Sequence, residues 1–173
     1  STAKNVKLTW NKMADAAGYE IYQYNNAKKT WAMKAALDSS AVSYTVKGLT
    51  PATEYRFAVR AFAKPQNGAA VYSKTYVSAD TATAPKEVKF QAKPGKKKVL
   101  IKWSKVKGAT GYTVCYKTKA KGAWKELKSL KKTSYTKKKL KSGKTYFFTV
   151  KAYKKYKGKT YTASFQTKKV KIK

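Results

Sequence analysis

The sequence predicts an all-β protein built from two antiparallel β-sandwiches in tandem. Three observations lead to this prediction: an internal repeat, apolar residues that alternate with polar ones along short segments, and turn residues between those segments. The chain has 173 residues, of which 42% are apolar and 14% aromatic. That composition is sufficient for a hydrophobic core in each half.

The internal repeat divides the chain into two copies of one domain. The same residue types recur in the same order, at first 93 positions later (103 minus 10) and from Tyr44 onwards 91 positions later. The matched pairs include Trp10 and Trp103, Gly18 and Gly111, Tyr19 and Tyr112, Trp31 and Trp124, Leu49 and Leu140, and Tyr55 and Tyr146. Each copy is about 80 to 90 residues long, far longer than the usual repeat of a solenoid. We therefore expect one module over residues 1–84 and a second over residues 85–173.

Apolar positions in each copy fall at every second residue, which is the period of a strand. The clearest series are Val6, Leu8 and Trp10, then Tyr19 and Ile21, and then Tyr55, Phe57, Val59 and Ala61. Trp10 and its repeat equivalent Trp103 end an inward-facing series. We therefore expect both tryptophans to be structural anchors of the two cores.

Turn sequences separate these strands, and no segment has the capping and periodicity of a helix. In LTPATEY, which ends at Tyr55, and LKSGKTY, which ends at Tyr146, a leucine closes one strand and a tyrosine six residues later opens the next. This spacing is typical of a tyrosine corner, in which the hydroxyl bonds to the connecting backbone. Both tyrosines are therefore predicted structural residues, in modules of about seven strands each.

The two copies differ before their first shared strand. The first has only STAKN there, whereas the second has KEVKFQAKPGKKK, which is long enough for an additional strand. We expect the first module to lack that strand and to leave the edge of its neighbour unpaired.

The repeated motifs together resemble fibronectin type III domains. They are a strand that ends in Trp, a strand that begins with Gly-Tyr, the Leu-to-Tyr corner and a Tyr-x-Phe-x-Val-x-Ala strand. The lysine-rich second copy is similar to the tandem modules of secreted and cell-surface proteins of Gram-positive bacteria. The resemblance implies an extracellular or cell-surface bacterial location. It implies a role as spacer, adhesion module or accessory part of an extracellular enzyme.

The composition offers no constellation for catalysis or metal binding. The chain has no His and a single Cys, Cys115, whose role the sequence leaves open, and its seven acidic residues are scattered singly. We expect no catalytic residue, no metal and no cofactor. No run of about 18 apolar residues is present, so we expect no membrane insertion.

Basic residues dominate the charge, with 41 Lys and Arg against 7 Asp and Glu. Residues 1–84 hold 11 basic and 5 acidic residues, a net charge of +6, and residues 85–173 hold 30 and 2, a net charge of +28. The lysines of the second module occur on nearly every predicted strand, which predicts a coat rather than a stripe.

Such a coat favours anionic partners, including cell-wall polymers and acidic polysaccharides, but it also suits a purely solubilising surface. The compact group Lys137, Lys138 and Lys139 is a candidate set of polyanion contacts. Both arginines lie in the less basic module, which argues against specific nucleic-acid recognition.

One outward face of the first module is a candidate ligand surface. Strand alternation places six aromatic and cationic residues on it: Tyr22, Tyr24, Trp31, Arg56, Arg60 and Phe62. Such a face suits sugar stacking or a protein partner, although cross-strand aromatic pairs are also common structural features. The equivalent face of the second module reads Thr113, Cys115, Lys117, Phe147, Thr149, Lys151 and Tyr153, so the aromatic cluster of the first module is not reproduced there and a ligand site is expected in the first module.

These observations predict a non-enzymatic, monomeric pair of modules that spaces and presents neighbouring domains of the same chain. An adhesive role towards anionic glycans or cell wall would accompany it. The alternative is an accessory module of a secreted glycoside hydrolase that binds carbohydrate or cell-wall polyanions.

Overall fold

A computed structural model describes residues 1–65, 68–74 and 76–173. Within these ranges the chain forms strands and turns and no helix, so no helix of the described residues could cross a membrane. The chain divides into two compact units, Ser1–Thr83 and Ala84–Lys173, which we call the first and second modules. The predicted all-β fold class, with two sandwiches in tandem, is confirmed.

The first module contains seven described strands in two antiparallel sheets. They are β1 (Val6–Thr9), β2 (Gly18–Asn25), β3 (Thr30–Asp38), β4 (Ser43–Val46), β5 (Glu54–Ala63), β6 (Val71–Tyr72) and β7 (Val77–Ala82). One sheet pairs β1 with β4, and the other has the order β3-β2-β5. Strands β6 and β7 pair with successive parts of β5.

The second module repeats this arrangement and adds one strand. Its strands are β8 (Phe90–Gly95), β9 (Lys98–Trp103), β10 (Gly111–Lys117), β11 (Lys125–Leu130), β12 (Ser134–Lys137), β13 (Thr145–Tyr156), β14 (Lys159–Thr162) and β15 (Lys168–Lys171). One sheet has the order β12-β9-β8 and the other β11-β10-β13, with β14 and β15 on successive parts of β13.

The added strand β8 changes how the two tryptophans are buried. Phe90 of β8 lies opposite Trp103, which is only 7% exposed. In the first module, β1 pairs only with β4 within the described ranges, and Trp10 is half-buried at the margin of the core. Each indole packs against a tyrosine of the next strand, Tyr19 at 5.5 Å and Tyr112 at 5.4 Å between ring centroids.

Two pairs of tyrosine hydroxyls hold the turns. The corner tyrosines accept hydrogen bonds from backbone N–H groups: Tyr55 from Thr50 at 2.9 Å and Tyr146 from Lys141 at 3.3 Å. A second pair that the sequence reading did not identify closes the loop before the next strand. There Tyr19 accepts from Met13, and Tyr112 accepts from Val106, both at 2.8 Å.

The corner also requires left-handed backbone at two equivalent positions. Gly48 has a φ of +72° and its counterpart Lys139 a φ of +58°, whereas Ala52 has +53° and its counterpart Gly143 has +74°. Each module therefore uses glycine at one of the two positions and a strained residue at the other.

We expect Trp103→Ala to destabilise the second module by about 3 to 5 kcal/mol, because it removes a large buried ring and leaves a cavity. Trp10→Ala should cost the first module less, since part of that ring is already in water. Hydrogen exchange with mass spectrometry on the whole chain reports each module separately. Equal losses in the two variants would contradict the difference in burial.

We expect Tyr146→Phe to lower the free energy of unfolding of the second module by about 1 kcal/mol, because the Lys141 N–H loses its acceptor. Tyr135→Phe, at a half-buried tyrosine of β12, is a control outside the corner. Denaturant unfolding of the two variants measures the difference. A stability of Tyr146→Phe equal to that of the control would show that the corner bond contributes nothing.

Candidate functional site

The outward face of the β2–β5 pair is set by the strand register. Gly18 lies opposite Phe62, Glu20 opposite Arg60, and Tyr22 opposite Ala58. Residues between them, such as Ile21 and Phe57, are buried in the core. Alternation therefore places the charged and aromatic side chains on the surface while their neighbours form the interior.

A cluster of rings occupies one end of this face. Trp31 on β3 contacts Tyr24 and Tyr76, with ring centroids 5.1 Å and 5.4 Å away and both pairs edge-to-face. The Arg56 guanidinium carbon lies 5.7 Å from the centroid of the Tyr24 ring, and its Nε donates to Asp80 Oδ1 at 2.8 Å. Arg56 is therefore held by an acid of its own module.

The Glu20 carboxylate accepts two hydrogen bonds in the middle of the face. Tyr22 donates its hydroxyl to Glu20, and Tyr72 donates to the other carboxylate oxygen at 3.1 Å. The hydrogen bond to Glu20 is the main reason that the pKa of Tyr22 and the pKa of Tyr72 both lie above the ordinary value for a phenol. Both phenols therefore ionise at a higher pH than a free tyrosine side chain does.

Arg60 is fixed by two contacts beside this carboxylate. Its Nε donates to the carbonyl of Ser73 at 3.2 Å, and its guanidinium carbon lies 4.5 Å from the centroid of the Tyr72 ring. These two contacts hold the guanidinium group beside the Tyr72 ring and the Ser73 carbonyl.

These side chains enclose a cleft of about 130 Å³, lined by Tyr22, Trp31, Ala58, Arg60 and Tyr76. Three of the six predicted surface residues line it, and Tyr24 and Arg56 lie beside its Trp31 wall. Phe62 lies elsewhere. Its ring packs on Gly18, where a Cβ would come within 2.6 Å of it, and borders a separate depression of about 300 Å³.

The sequence reading missed Glu20, Tyr72, Tyr76 and Asp80. The alternation of side chains along β2 could have identified Glu20, since Glu20 lies two residues before Tyr22 and on the same face. Tyr72 and Tyr76 come from the segment after β5, where the described strand β6 has only two residues and shows no alternation. Their positions follow from tertiary packing.

The second module carries an aromatic cluster of its own that the sequence analysis did not identify. Trp124 and Phe165 meet edge-to-face at 5.9 Å over the outward face of β10 and β13. The Lys117 ammonium lies 4.7 Å from the Trp124 centroid and 5.9 Å from that of Phe147, and the Lys151 ammonium lies 4.2 Å from that of Phe165. Phe165 was overlooked because it lies outside any strand.

Two outward-facing residues of this sheet are nevertheless buried. Cys115 is 5% exposed and Thr149 is fully buried, although alternation places both on the same face as Lys117 and Lys151. Burial raises the pKa of the Cys115 thiol, which makes it a poor nucleophile at neutral pH. Its surroundings are those of a small core residue.

The structure places the three candidate polyanion contacts, Lys137, Lys138 and Lys139, in different environments. Lys137 shares the inward parity of Tyr135, is half-buried, and has its ammonium 5.8 Å from the centroid of the Tyr116 ring. Lys138 and Lys139 are exposed. The three lysines therefore do not form one continuous exposed patch. Over the described residues, no group of three or more His, Cys, Asp or Glu side chains could hold a metal ion.

Comparisons with known proteins agree with this architecture. A family model described as fibronectin type III domain matches residues 1–76 and again residues 83–168. A two-domain fibronectin type III segment of chicken tenascin superposes with a TM-score of 0.54 at 16% identity, over 99% of this chain and 94% of that one. The FN1-FN3 domains of chicken CNTN1 give a TM-score of 0.47 at 17% identity, over 100% of this chain and 63% of that one.

We expect Glu20→Gln to lower the pKa of Tyr22 and of Tyr72 towards the ordinary phenol value. The substitution removes the negative charge and weakens the hydrogen bond that raises both pKa values. Carbon-13 NMR of tyrosine Cζ during an alkaline titration measures each ring, with Glu87→Gln in the second module as control. Unchanged titration of both rings would show that Glu20 does not govern them.

Proposed function

The chain belongs to the fibronectin type III family, and from that premise we propose that it is a non-catalytic spacer and interaction unit of a bacterial extracellular or cell-surface protein. Each module has a hydrophobic core of its own, as a spacer that presents neighbouring domains requires. In this proposal the second module adheres to anionic polymers such as cell-wall polyanions or acidic polysaccharides.

The observation that carries the adhesive role is the partition of charge. The second module has 30 basic and 2 acidic residues, whereas the first has 11 and 5. A net charge of +28 on one small module generates a positive potential that attracts any polyanion at low salt. Association with a polyanion also releases counterions, which makes the affinity fall steeply as salt rises.

The exposed lysines are spread over both sheets of the second module. Exposed examples are Lys98 and Lys102 on β9, Lys125 and Lys128 on β11, and Lys169 and Lys171 on β15. Because no single face concentrates them, the coat favours recognition of charge density over recognition of one polymer. The different burial of Lys137, which is half-buried, and of Lys138 and Lys139, which are exposed, also argues against one defined polymer site.

We expect the whole chain to bind heparin, lipoteichoic acid and DNA at 50 mM salt, with an affinity that falls for all three as salt increases. Replacing the exposed lysines Lys98, Lys102, Lys125 and Lys169 with Gln should weaken binding and reduce the salt dependence. Replacing the exposed first-module lysines Lys7, Lys12, Lys34 and Lys47 should have a much smaller effect. Titration calorimetry over a salt series measures both.

Two outcomes decide the proposal. If the whole chain binds none of the polymers at low salt, the coat only keeps the protein soluble and the adhesive role is wrong. If replacing Lys137, Lys138 and Lys139 abolishes binding to one polymer while Lys125, Lys128 and Lys169 can be replaced without loss, a defined site takes the place of the diffuse coat.

A further inference from the structure

We propose that the first-module cleft formed by Tyr22, Trp31, Ala58, Arg60 and Tyr76 binds a single sugar unit that carries a carboxylate, as in acidic polysaccharides. The site lies in the less basic module and does not depend on the lysine coat. Its ligand is recognised by stacking on the rings and by a charge-assisted hydrogen bond to one arginine.

The shape of the cleft follows from one small residue. Along the outward side of β5 the residues are Arg56, Ala58, Arg60 and Phe62, so Ala58 is the only short side chain in the series. It is 2% exposed and forms the floor between the taller side chains. Rings of three aromatic residues line the space above it. A concave site with aromatic walls and one directed polar group suits a small ring-shaped ligand.

The aromatic walls offer ring surface rather than hydroxyl groups. The Tyr22 hydroxyl is already donated to Glu20, and Trp31 is braced edge-to-face by Tyr24 and Tyr76. Tyr76 is 48% exposed, so much of its ring surface is accessible. The apolar face of a sugar ring can stack on such surfaces, which have few side-chain torsions left to order.

Arg60 supplies the charge for a carboxylate. Its Nε is used by the Ser73 carbonyl, and Tyr72 holds the guanidinium plane, so its position is fixed before a ligand arrives. The terminal nitrogens can form the parallel pair of hydrogen bonds that arginine makes with carboxylates. The nearby Glu20 would repel an anion, but each of its oxygens accepts a tyrosine hydroxyl. Those bonds offset part of the repulsion.

The second module provides an internal comparison. Trp124 and Lys151 occupy the positions equivalent to Trp31 and Arg60, but there the module's own lysines lie over the rings, Lys117 over Trp124 and Lys151 over Phe165. Within the part of the chain that the structure describes, no cation lies over Trp31 or Tyr76. In the first module the cations lie over rings beside the cleft, Arg56 over Tyr24 and Arg60 over Tyr72, rather than over Trp31 or Tyr76.

A carboxylated sugar fits the cleft better than a neutral sugar or an apolar peptide. A neutral sugar would leave the oriented Arg60 without a charged partner. An apolar side chain would gain more in the larger depression lined by Met13, Phe62 and Val71, which lies at the other end of the sheet. The positive charge of the whole chain also raises the local concentration of anionic ligands.

The test is calorimetric titration of the whole chain with digalacturonic acid and with its uncharged dimethyl ester, at 150 mM salt. A disaccharide is too short to engage many lysines, so the coat contributes little. We expect saturable binding of the acid with one site per chain and at least tenfold weaker binding of the ester. Trp31→Ala and Arg60→Gln should each weaken binding of the acid at least tenfold, and Arg60→Gln should remove the preference for the acid over the ester.

Trp124→Ala is the matched control, because it removes the equivalent indole from the second module and should leave the affinity unchanged. Tyr76→Ala, at an exposed ring, replaces Trp31→Ala if that variant loses its native NMR spectrum. The proposal is overturned if the wild-type chain binds neither sugar at 10 mM, if acid and ester bind equally, or if Trp124→Ala weakens binding as much as Trp31→Ala. Binding of DNA, a polyanion without carboxylated sugars, measured in parallel reports on the lysine coat, so failure of this site and failure of the coat are distinguishable.

Discussion

Both modules depend on the antiparallel pairing of two central strands, β2 with β5 and β10 with β13. This pairing fixes which residues face the interior and which face solvent, because a shift of one residue would exchange the two sets. In the second module Val114 lies opposite Val150 in the core, while Thr113 lies opposite Lys151 on the outside. The inward and outward positions of these central strands follow from this one register.

The register also explains how a module with a net charge of +28 can remain compact. Like charges on adjacent strands repel, and the cost falls when each ammonium lies against a ring instead of another ammonium. Lys117, Lys137 and Lys151 do this, with their ammonium groups 4.2 to 5.8 Å from the nearest ring centroids. Their aliphatic stems cover sheet surface at the same time. The aromatic residues of the second module thus provide ring faces on which its own lysine ammonium groups lie.

The fold was predictable from sequence because it rests on local patterns. Strand alternation, the Leu-to-Tyr spacing and the repeat each reflect a short-range constraint, and the structure bears out the fold class that they predict. The clefts and clusters were less predictable. Tyr76 and Phe165 reach the sheet faces from segments before the last strand, where no periodicity marks them, and Lys137 turns inward although it sits in a run of lysines. The positions of these side chains depend on how other segments pack against the sheets, which a single sequence does not reveal.

The two modules show how one backbone supports two different surfaces. At equivalent positions the first module has Tyr22, Ala58 and Arg60, and the second has Cys115, Thr149 and Lys151. Arg60 on the first face lies over the Tyr72 ring and also donates to a backbone carbonyl, whereas Lys151 on the second lies over the Phe165 ring. The same contrast recurs at Tyr24 and Lys117, where the second module again places a cation over the tryptophan. These differences between the modules lie at outward-facing strand positions. They therefore change the chemistry of the face without disturbing the core residues between them. The sandwich therefore constrains the two modules to one architecture while their outer faces differ, with a cleft on the first and lysines lying over aromatic rings on the second.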